Sequence, residues 1–325
     1  MNAALEVNGL RLLFLGSPDF AVPSLRALSA AGHVVALVVT QPDRSRGRGR
    51  HPAPTAVKQA ALALGLEVFQ PESANAPESV QMLRGVNAEL GVVVAYGEIL
   101  SPGLLSVTER GFINAHASLL PDYRGAAPVN WAVIRGERVT GVSIIRVEPQ
   151  LDAGPILASR QVEIAPDETA GELHDRLAAV AAEAVVDVVD RMAAGEEMPG
   201  RPQPREAGFF ARKLTKGDGR IEWSLSARDL GCRVRGLNPW PGAYSDLHCA
   251  EGSVCVALLR VEEAGPCGRG GEPGTVLCAS DEDGLVVQAG QGAVRILELK
   301  PAGSRAMTAA DFIHGHRVQP GDRFH

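Results

Sequence analysis

Asn114 and His116, two positions apart in the segment between Gly111 and Pro121, are the most chemically suggestive pair in the chain. In a strand, residues i and i+2 point to one face, so a carboxamide and an imidazole stand side by side. Asn114 donates through its amide, and His116 donates, accepts or carries a proton near neutral pH. Two such groups suit stabilisation of an oxyanion formed at a carbonyl carbon under attack. Asp152, between Leu151 and the Ala153, Gly154, Pro155 run, follows a second apolar segment, Val142–Val147. If the two segments are neighbours in one sheet, Asp152 reaches the same crevice. There it can orient His116 and accept a proton directly or through water. Each motif alone also has a structural reading, because an aspartate before Gly-Pro commonly closes a turn.

The elements that must position these groups are readable from periodicity. Arg11–Leu15, His33–Thr40, Glu67–Gln70, Leu90–Ala95, Phe112–His116 and Val142–Val147 are short apolar runs, expected as strands. Ala21–Ala31, Pro54–Leu64 and Glu78–Leu83 lie between them with helical spacing. This alternation predicts right-handed crossovers and an α/β fold with a doubly wound, mostly parallel sheet. Ligands bind such sheets beyond the strand ends, where Asn114 and His116 sit. The first turn, Gly16–Phe20, lacks the G-x-G-x-x-G fingerprint, which argues against a nicotinamide or flavin role. Thr169–Ala194 is expected as the last helix of this domain. Gly195–Pro204, with Pro199, Pro202 and Pro204, reads as a linker. Beyond residue 208, Val254–Val261, Gly274–Cys278, Gly284–Ala289 and Gly292–Leu299 are short runs separated by glycines, expected as a small β-barrel. The expected domains are therefore 1–195, a linker at 196–207, and 208–325. Trp223, Trp240 and Phe312 are expected in the core.

Bulk properties exclude several classes. With 45% hydrophobic and 22% charged residues, the 325-residue chain has the balance of a globular protein. No apolar run approaches the ~20 residues of a membrane span. The N-terminal segment carries Glu6 and no basic cluster, so a cytoplasmic protein is expected. The five cysteines, Cys232, Cys249, Cys255, Cys267 and Cys278, include no CxxC pair, which argues against a disulfide framework or a zinc site.

The string Asn114–Pro121, followed by Tyr123–Pro128, closely resembles the folate-dependent formyltransferases. The resemblance also runs through Leu13–Phe20, Thr40–Arg44, Val93–Gly97, Gly141–Ile144 and Leu151–Gly154. It continues in Lys213–Lys216, Gly219–Ser224, Leu237–Pro241 and Lys300–Gly303, so it spans essentially the whole chain. It implies a Rossmann-like formyltransferase domain over 1–195 and an OB-like, tRNA-binding barrel over 208–325. Asn114, His116 and Asp152 occupy the family's catalytic positions. Ser118, Leu119, Leu120 and Pro121 stand where the family binds its folate carrier, and Gly97, Ile99 and Leu100 match its pteridine-side loop. The implied co-substrate is 10-formyltetrahydrofolate, with no metal. The implied acceptor is the methionine amine of initiator methionyl-tRNA, which places the reaction in translation initiation, and a monomer is expected.

Charge distribution bears on the acceptor. The chain as a whole carries −6, but Gln41–Lys58 holds Arg44, Arg46, Arg48, Arg50 and Lys58 against Asp43 alone. A flexible loop of that charge can order on phosphates. By resemblance it is the loop the family sets against the tRNA acceptor stem, with Arg48 the foremost candidate. Ser45, Arg46 and the Arg50, His51, Pro52 run depart from the family's usual residues here, preserving charge but altering stiffness. A second basic cluster comprises Arg212, Lys213, Lys216, Arg220, Arg228, Arg233 and Arg235 against Asp218, Glu222 and Asp229. Lys213 and Lys216 are its tRNA-binding candidates. Two rivals remain: a formyltransferase acting on a small nucleotide or sugar amine, and an RNA-binding protein on an inactive formyltransferase fold. The arginine loop and the C-terminal unit argue against the first. Intact Asn114, His116 and Asp152 argue against the second.

Overall fold

The computed structural model describes residues 9–325 apart from 47–50, 205, 207, 251 and 266–269, and only the backbone at 45, 46, 51 and 52. Two compact units interleave along the chain. One comprises Met1–Gly125, Val139–Glu163 and His174–Ala211; the other comprises Ala126–Arg138, Ile164–Leu173 and Arg212–His325.

The first unit is built on seven strands: β1 (Arg11–Gly16), β2 (Val34–Val39), β3 (Val68–Phe69), β4 (Leu90–Val94), β5 (Phe112–His116), β6 (Val139–Arg146) and β7 (Ile156–Glu163). Their order across the sheet is β7-β6-β5-β4-β1-β2-β3. From β5 to β3 the strands are parallel, as the β-α alternation predicts. Their Val- and Leu-rich runs are buried on both faces, which is why they lack polar alternation. The chain runs outward from β1 to β3 and then crosses to β4 on the other side of β1, so the order reverses between β1 and β4. Helices Val22–Ala30, Ala56–Ala63 and Pro77–Gly85 supply the crossovers. The second is capped by Thr55, whose hydroxyl accepts from the Lys58 N–H at 3.1 Å.

β6 and β7 are where this sheet departs from a purely parallel one. β6 runs antiparallel to β5, and β7 antiparallel to β6. β7 had no apolar run to announce it: most of its residues, including Arg160, are partly or fully exposed, as suits an edge strand. The basic loop is a second departure. Arg44–Arg46 and His51–Ala53 pair as an antiparallel ribbon. The base of that ribbon is pinned by Asp43, which accepts from Lys58 Nζ at 2.7 Å and Gln70 Nε2 at 2.7 Å.

The second unit contains β8 (Ala243–Cys249), β9 (Gly252–Ala264), β10 (Val276–Ser280), β11 (Gly284–Gln288), β12 (Ala293–Pro301) and β13 (Arg323–Phe324). They form one antiparallel sheet, β10-β11-β12-β9-β8-β13. Its two edges meet through a Thr275–Arg323 bridge, which curls the sheet into a small barrel. The core includes Trp223, Leu247, Leu258, Leu285, Ile296, Phe312 and Phe324. The unit is not all-β: helices Ala227–Gly236 and Ala309–His316 pack with it. In the first of these, Ala227, Leu230 and Val234 form a narrow buried stripe among arginines, too polar overall to stand out in sequence. Trp223 and Phe312 are buried as expected, but Trp240, between Pro239 and Pro241, is 50% exposed. Cys278 is disulfide-bonded, although the cysteine pattern argued against a disulfide framework. No helix among the described residues is long and apolar enough to cross a membrane.

Candidate active site

β5 presents Asn114 and His116 on one face, as alternation requires. Asn114 sits opposite Val93 of β4 and Ile145 of β6; His116 sits opposite Ser143. The Asn114 carboxamide is half-buried and makes no hydrogen bond to any described residue. His116 is buried at 6% exposure. Its Nε2 lies 2.9 Å from the Tyr123 carbonyl, and its Nδ1 lies 3.6 Å from Asp152 Oδ1. Nε2 is thus within hydrogen-bond distance of a carbonyl, while Nδ1 faces a carboxylate just beyond that distance.

Asp152 arrives by an indirect route. Because β6 is antiparallel, its C-terminal end lies beside the start of β5, where the Val147 N–H donates to the Phe112 carbonyl at 2.8 Å. The 147–155 connection then folds back toward His116. Two backbone features make that fold possible. Asp152 itself is left-handed, with φ +50. Gly154 passes so close to β6 that a Cβ there would lie 2.0 Å from the Arg146 carbonyl oxygen. The Asp152 carboxylate is fixed by the Gly125 N–H, which donates to Oδ2 at 3.0 Å. Gly125 has φ +118, and a Cβ on it would meet the Ala211 carbonyl oxygen at 2.6 Å.

The Ser118–Pro121 turn is tightly self-bonded. Ser118 is fully buried and donates to the Asp122 carbonyl at 2.6 Å; Ser143 Oγ bridges the Ser118 carbonyl at 2.8 Å and the Leu120 N–H at 3.0 Å. Leu120 is buried, whereas Leu119 and Pro121 are partly exposed. In the loop after β4, Gly97 has φ +94, Leu100 is buried in the core, and Ile99 is 63% exposed. That loop is anchored from Ser73–Asn75: Asn75 Nδ2 donates to the Ile99 carbonyl at 2.8 Å and to Glu98 Oε1 at 2.8 Å, and its Oδ1 accepts from the Ser101 N–H at 2.7 Å.

Two residues close to Asp152 were not singled out in the sequence. Gln203, in the expected linker, donates to the Asp152 and Gly154 carbonyls, and the buried Arg124 donates to Gln203. A glutamine between two prolines has no distinctive spacing, and Arg124 stood only as part of the Tyr123–Pro128 match.

Of the basic candidates, Arg44 is exposed at the start of its ribbon, Arg46 is described by its backbone alone, and Arg48 and Arg50 lie outside the described residues. In the second unit Lys213 and Lys216 are exposed. Several neighbouring arginines are already engaged. Arg212 forms a two-pronged pair with Asp218, Arg220 lies 3.6 Å from Asp246, and Arg233 and Arg235 donate to the Asp218 and Glu168 carbonyls. Among the described residues no group of three or more His, Cys, Asp or Glu side chains is arranged to hold a metal ion.

Comparison with known proteins identifies the family. Residues 10–189 match the family model "Formyl transferase", and 213–317 match "Formyl transferase, C-terminal domain". The chain is 44% identical over 321 residues to the methionyl-tRNA formyltransferase of Heliobacterium modesticaldum, covering 97% of this chain and 100% of that one. It is 43% identical over 316 residues to that of Solibacter usitatus, covering 97% and 98%. Among solved structures, HypX from Aquifex aeolicus in complex with tetrahydrofolic acid shares the fold. The TM-score is 0.60 at 18% identity, over 94% of this chain and 47% of HypX, so the chain spans about half of that protein's length. The chain belongs to the formyl transferase family and, within it, to the methionyl-tRNA formyltransferases.

Proposed function

We propose that this enzyme transfers the formyl group of 10-formyltetrahydrofolate to the methionine amine of initiator methionyl-tRNA, with Asn114, His116 and Asp152 as its catalytic residues. The observation that carries the residue assignment is the Asn114 carboxamide, a donor at a strand end with no hydrogen bond to any described residue, beside a histidine paired with a buried carboxylate. Bound formyl-folate supplies an electrophilic formyl carbon. The exposed apolar face of Ile99 and the backbone of the Gly97–Leu100 loop suit a flat heteroaromatic ring, and the Ser118–Pro121 turn borders the same strand end. Asn114 Nδ2 donates to the formyl oxygen as the amine attacks and negative charge develops there. His116 Nε2 exchanges the Tyr123 carbonyl for that oxygen. Asp152 orients the ring and takes part in moving the proton from the amine to the departing folate nitrogen.

In this reading formyl transfer belongs to residues 1–195, joined through 196–207 to an RNA-facing unit over 208–325. Arg44, Arg46, Arg48, Arg50, Lys213 and Lys216 contact tRNA phosphates. The enzyme works as a cytoplasmic monomer in translation initiation. The test offers formyl-folate with methionyl-tRNA and, separately, with small amines such as amino sugars and glycinamide nucleotides. Formylation of methionyl-tRNA alone is expected. Preference for a small amine would overturn the acceptor assignment.

A further inference from the structure

We infer that Gln203, held in orientation by the buried guanidinium of Arg124, is a positioning residue that sets the Asp152 carboxylate for proton transfer; the inference rests on the catalytic assignment of Asp152 above. The Asp152 turn needs such support. A non-glycine residue in the left-handed region persists where its surroundings hold it there, and Asp152 has φ +50. Gln203 Nε2 donates to the Asp152 carbonyl at 3.1 Å and to the Gly154 carbonyl at 2.7 Å, clamping the turn on both sides of Ala153. Gln203 Oε1 accepts from Arg124 Nε at 3.2 Å and Nη2 at 2.8 Å. A guanidinium only donates, so it fixes which end of the amide faces it and leaves the NH₂ group aimed at the two carbonyls. Arg124 Nη2 also donates to the Pro204 carbonyl at 2.9 Å, fastening the segment that carries Gln203.

The same segment continues along the backbone that supports His116. The Tyr123 N–H donates to the Phe209 carbonyl at 2.8 Å, and Phe210–Ala211 pairs in parallel with Arg124–Gly125. Tyr123 offers its carbonyl to His116, and Gly125 offers its N–H to Asp152. Gln203, Pro204 and Phe209–Ala211, in the stretch that composition marks as the end of a linker and the start of a new domain, thus brace the backbone behind both catalytic side chains, a strap in two pieces. Gln203 is the one residue of the strap, among those described, whose side chain bonds the Asp152 turn directly.

A double-mutant cycle tests this. Gln203→Met removes the amide at similar length, and Gln203→Glu keeps the shape and the Arg124 contact but removes the donor. Each is made in the otherwise native chain and in an Asp152→Asn background. Single-turnover formylation of methionyl-tRNA is followed at saturating 10-formyltetrahydrofolate, with KM for the tRNA and thermal midpoints measured alongside. In the native background kcat is expected to fall ~10- to 100-fold, the scale set by small misplacements of a reacting group, with KM changed less than about twofold. In the Asp152→Asn background the same substitutions are expected to cost less than about threefold, because the group they position is already disabled. If Gln203→Met folds poorly, Gln203→Glu decides. A full ~10- to 100-fold loss repeated in the Asp152→Asn background, or near-native turnover of the single variants, would overturn the inference. Near-native turnover of Asp152→Asn itself would overturn the reading on which it stands.

Discussion

Asn114 and His116 are prepared to different degrees. The carboxamide stands without a hydrogen bond to any described residue, whereas the imidazole is already hydrogen-bonded through Nε2 to the Tyr123 carbonyl. Substrate gains a new donor from Asn114 but must displace the Tyr123 carbonyl to gain one from His116. Either Asn114→Ala or His116→Ala is expected to lower kcat on the order of 10²-fold or more with little change in thermal midpoint, the loss typical of removing an oxyanion donor. Steady-state kinetics on methionyl-tRNA checks this, and a variant retaining most of its turnover would remove that residue from the chemistry. At this scale the pair was legible in sequence because a strand's period of two is local geometry. Asp152 was legible as a residue and, given adjacent strands, as a neighbour of His116, but its route was not. It was expected to reach the crevice if its strand neighboured that of His116, and it does; what the sequence did not show is that β6 is antiparallel, so that the 147–155 connection turns back to bring it there.

At the scale of elements, short polar contacts decide how the basic segments are held. The guanidinium of Arg212, with the Thr215 backbone and hydroxyl, holds the Asp218 carboxyl well below the usual carboxylate range. Asp218 and Thr215 also form a capping box on the 216–219 turn at the entrance to the barrel. A carboxyl depressed in the folded state contributes stability in full above its unfolded value, near ~3.9, and loses it as pH falls through the folded value. Asp218→Asn is therefore expected to lower the unfolding temperature at pH 7, and the gap from the native chain should narrow as pH falls below about 4. Calorimetry of both proteins from neutral to acidic pH makes the comparison; a gap independent of pH would mean the carboxylate's charge contributes nothing. The Asp43 carboxyl, lowered chiefly by its bond to Gln70 and then by Lys58, has the same sign of linkage at the base of the arginine ribbon. Lys58, counted in sequence as free positive charge, is committed to that anchor.

For the whole molecule, the partition between free and engaged cations predicts how salt acts on RNA binding. Removing one cation that neutralises a phosphate flattens the dependence of log K on log salt by ~1. Lys213→Ala and Lys216→Ala should each weaken tRNA binding and reduce that slope, and Arg48→Ala, proposed on the family resemblance alone, should do the same. Arg212→Ala should leave the slope unchanged, since its guanidinium is already paired with Asp218. Filter binding across a salt series distinguishes the two groups, and an unchanged slope in a lysine variant would take that residue out of the interface. The net charge of −6 is compatible with this, because association is governed by local clusters rather than by the sum.

The sequence by itself determined the succession of β1 to β6 with their crossover helices, the face shared by Asn114 and His116, and the family. Each of these rests on local periodicity or on contiguous strings of residues. Tertiary structure alone decided the antiparallel direction of β6 and the exposure of Trp240. It also decided the pairing of arginines with distant carboxylates and carbonyls, and the strap that carries Gln203 to Asp152. These depend on contacts between residues far apart in the chain, 51 positions in the last case. No pattern within a single segment records such a contact. The three residues on which the chemistry is proposed to turn are therefore written locally, but the route that brings Asp152 to His116 exists only in the folded chain.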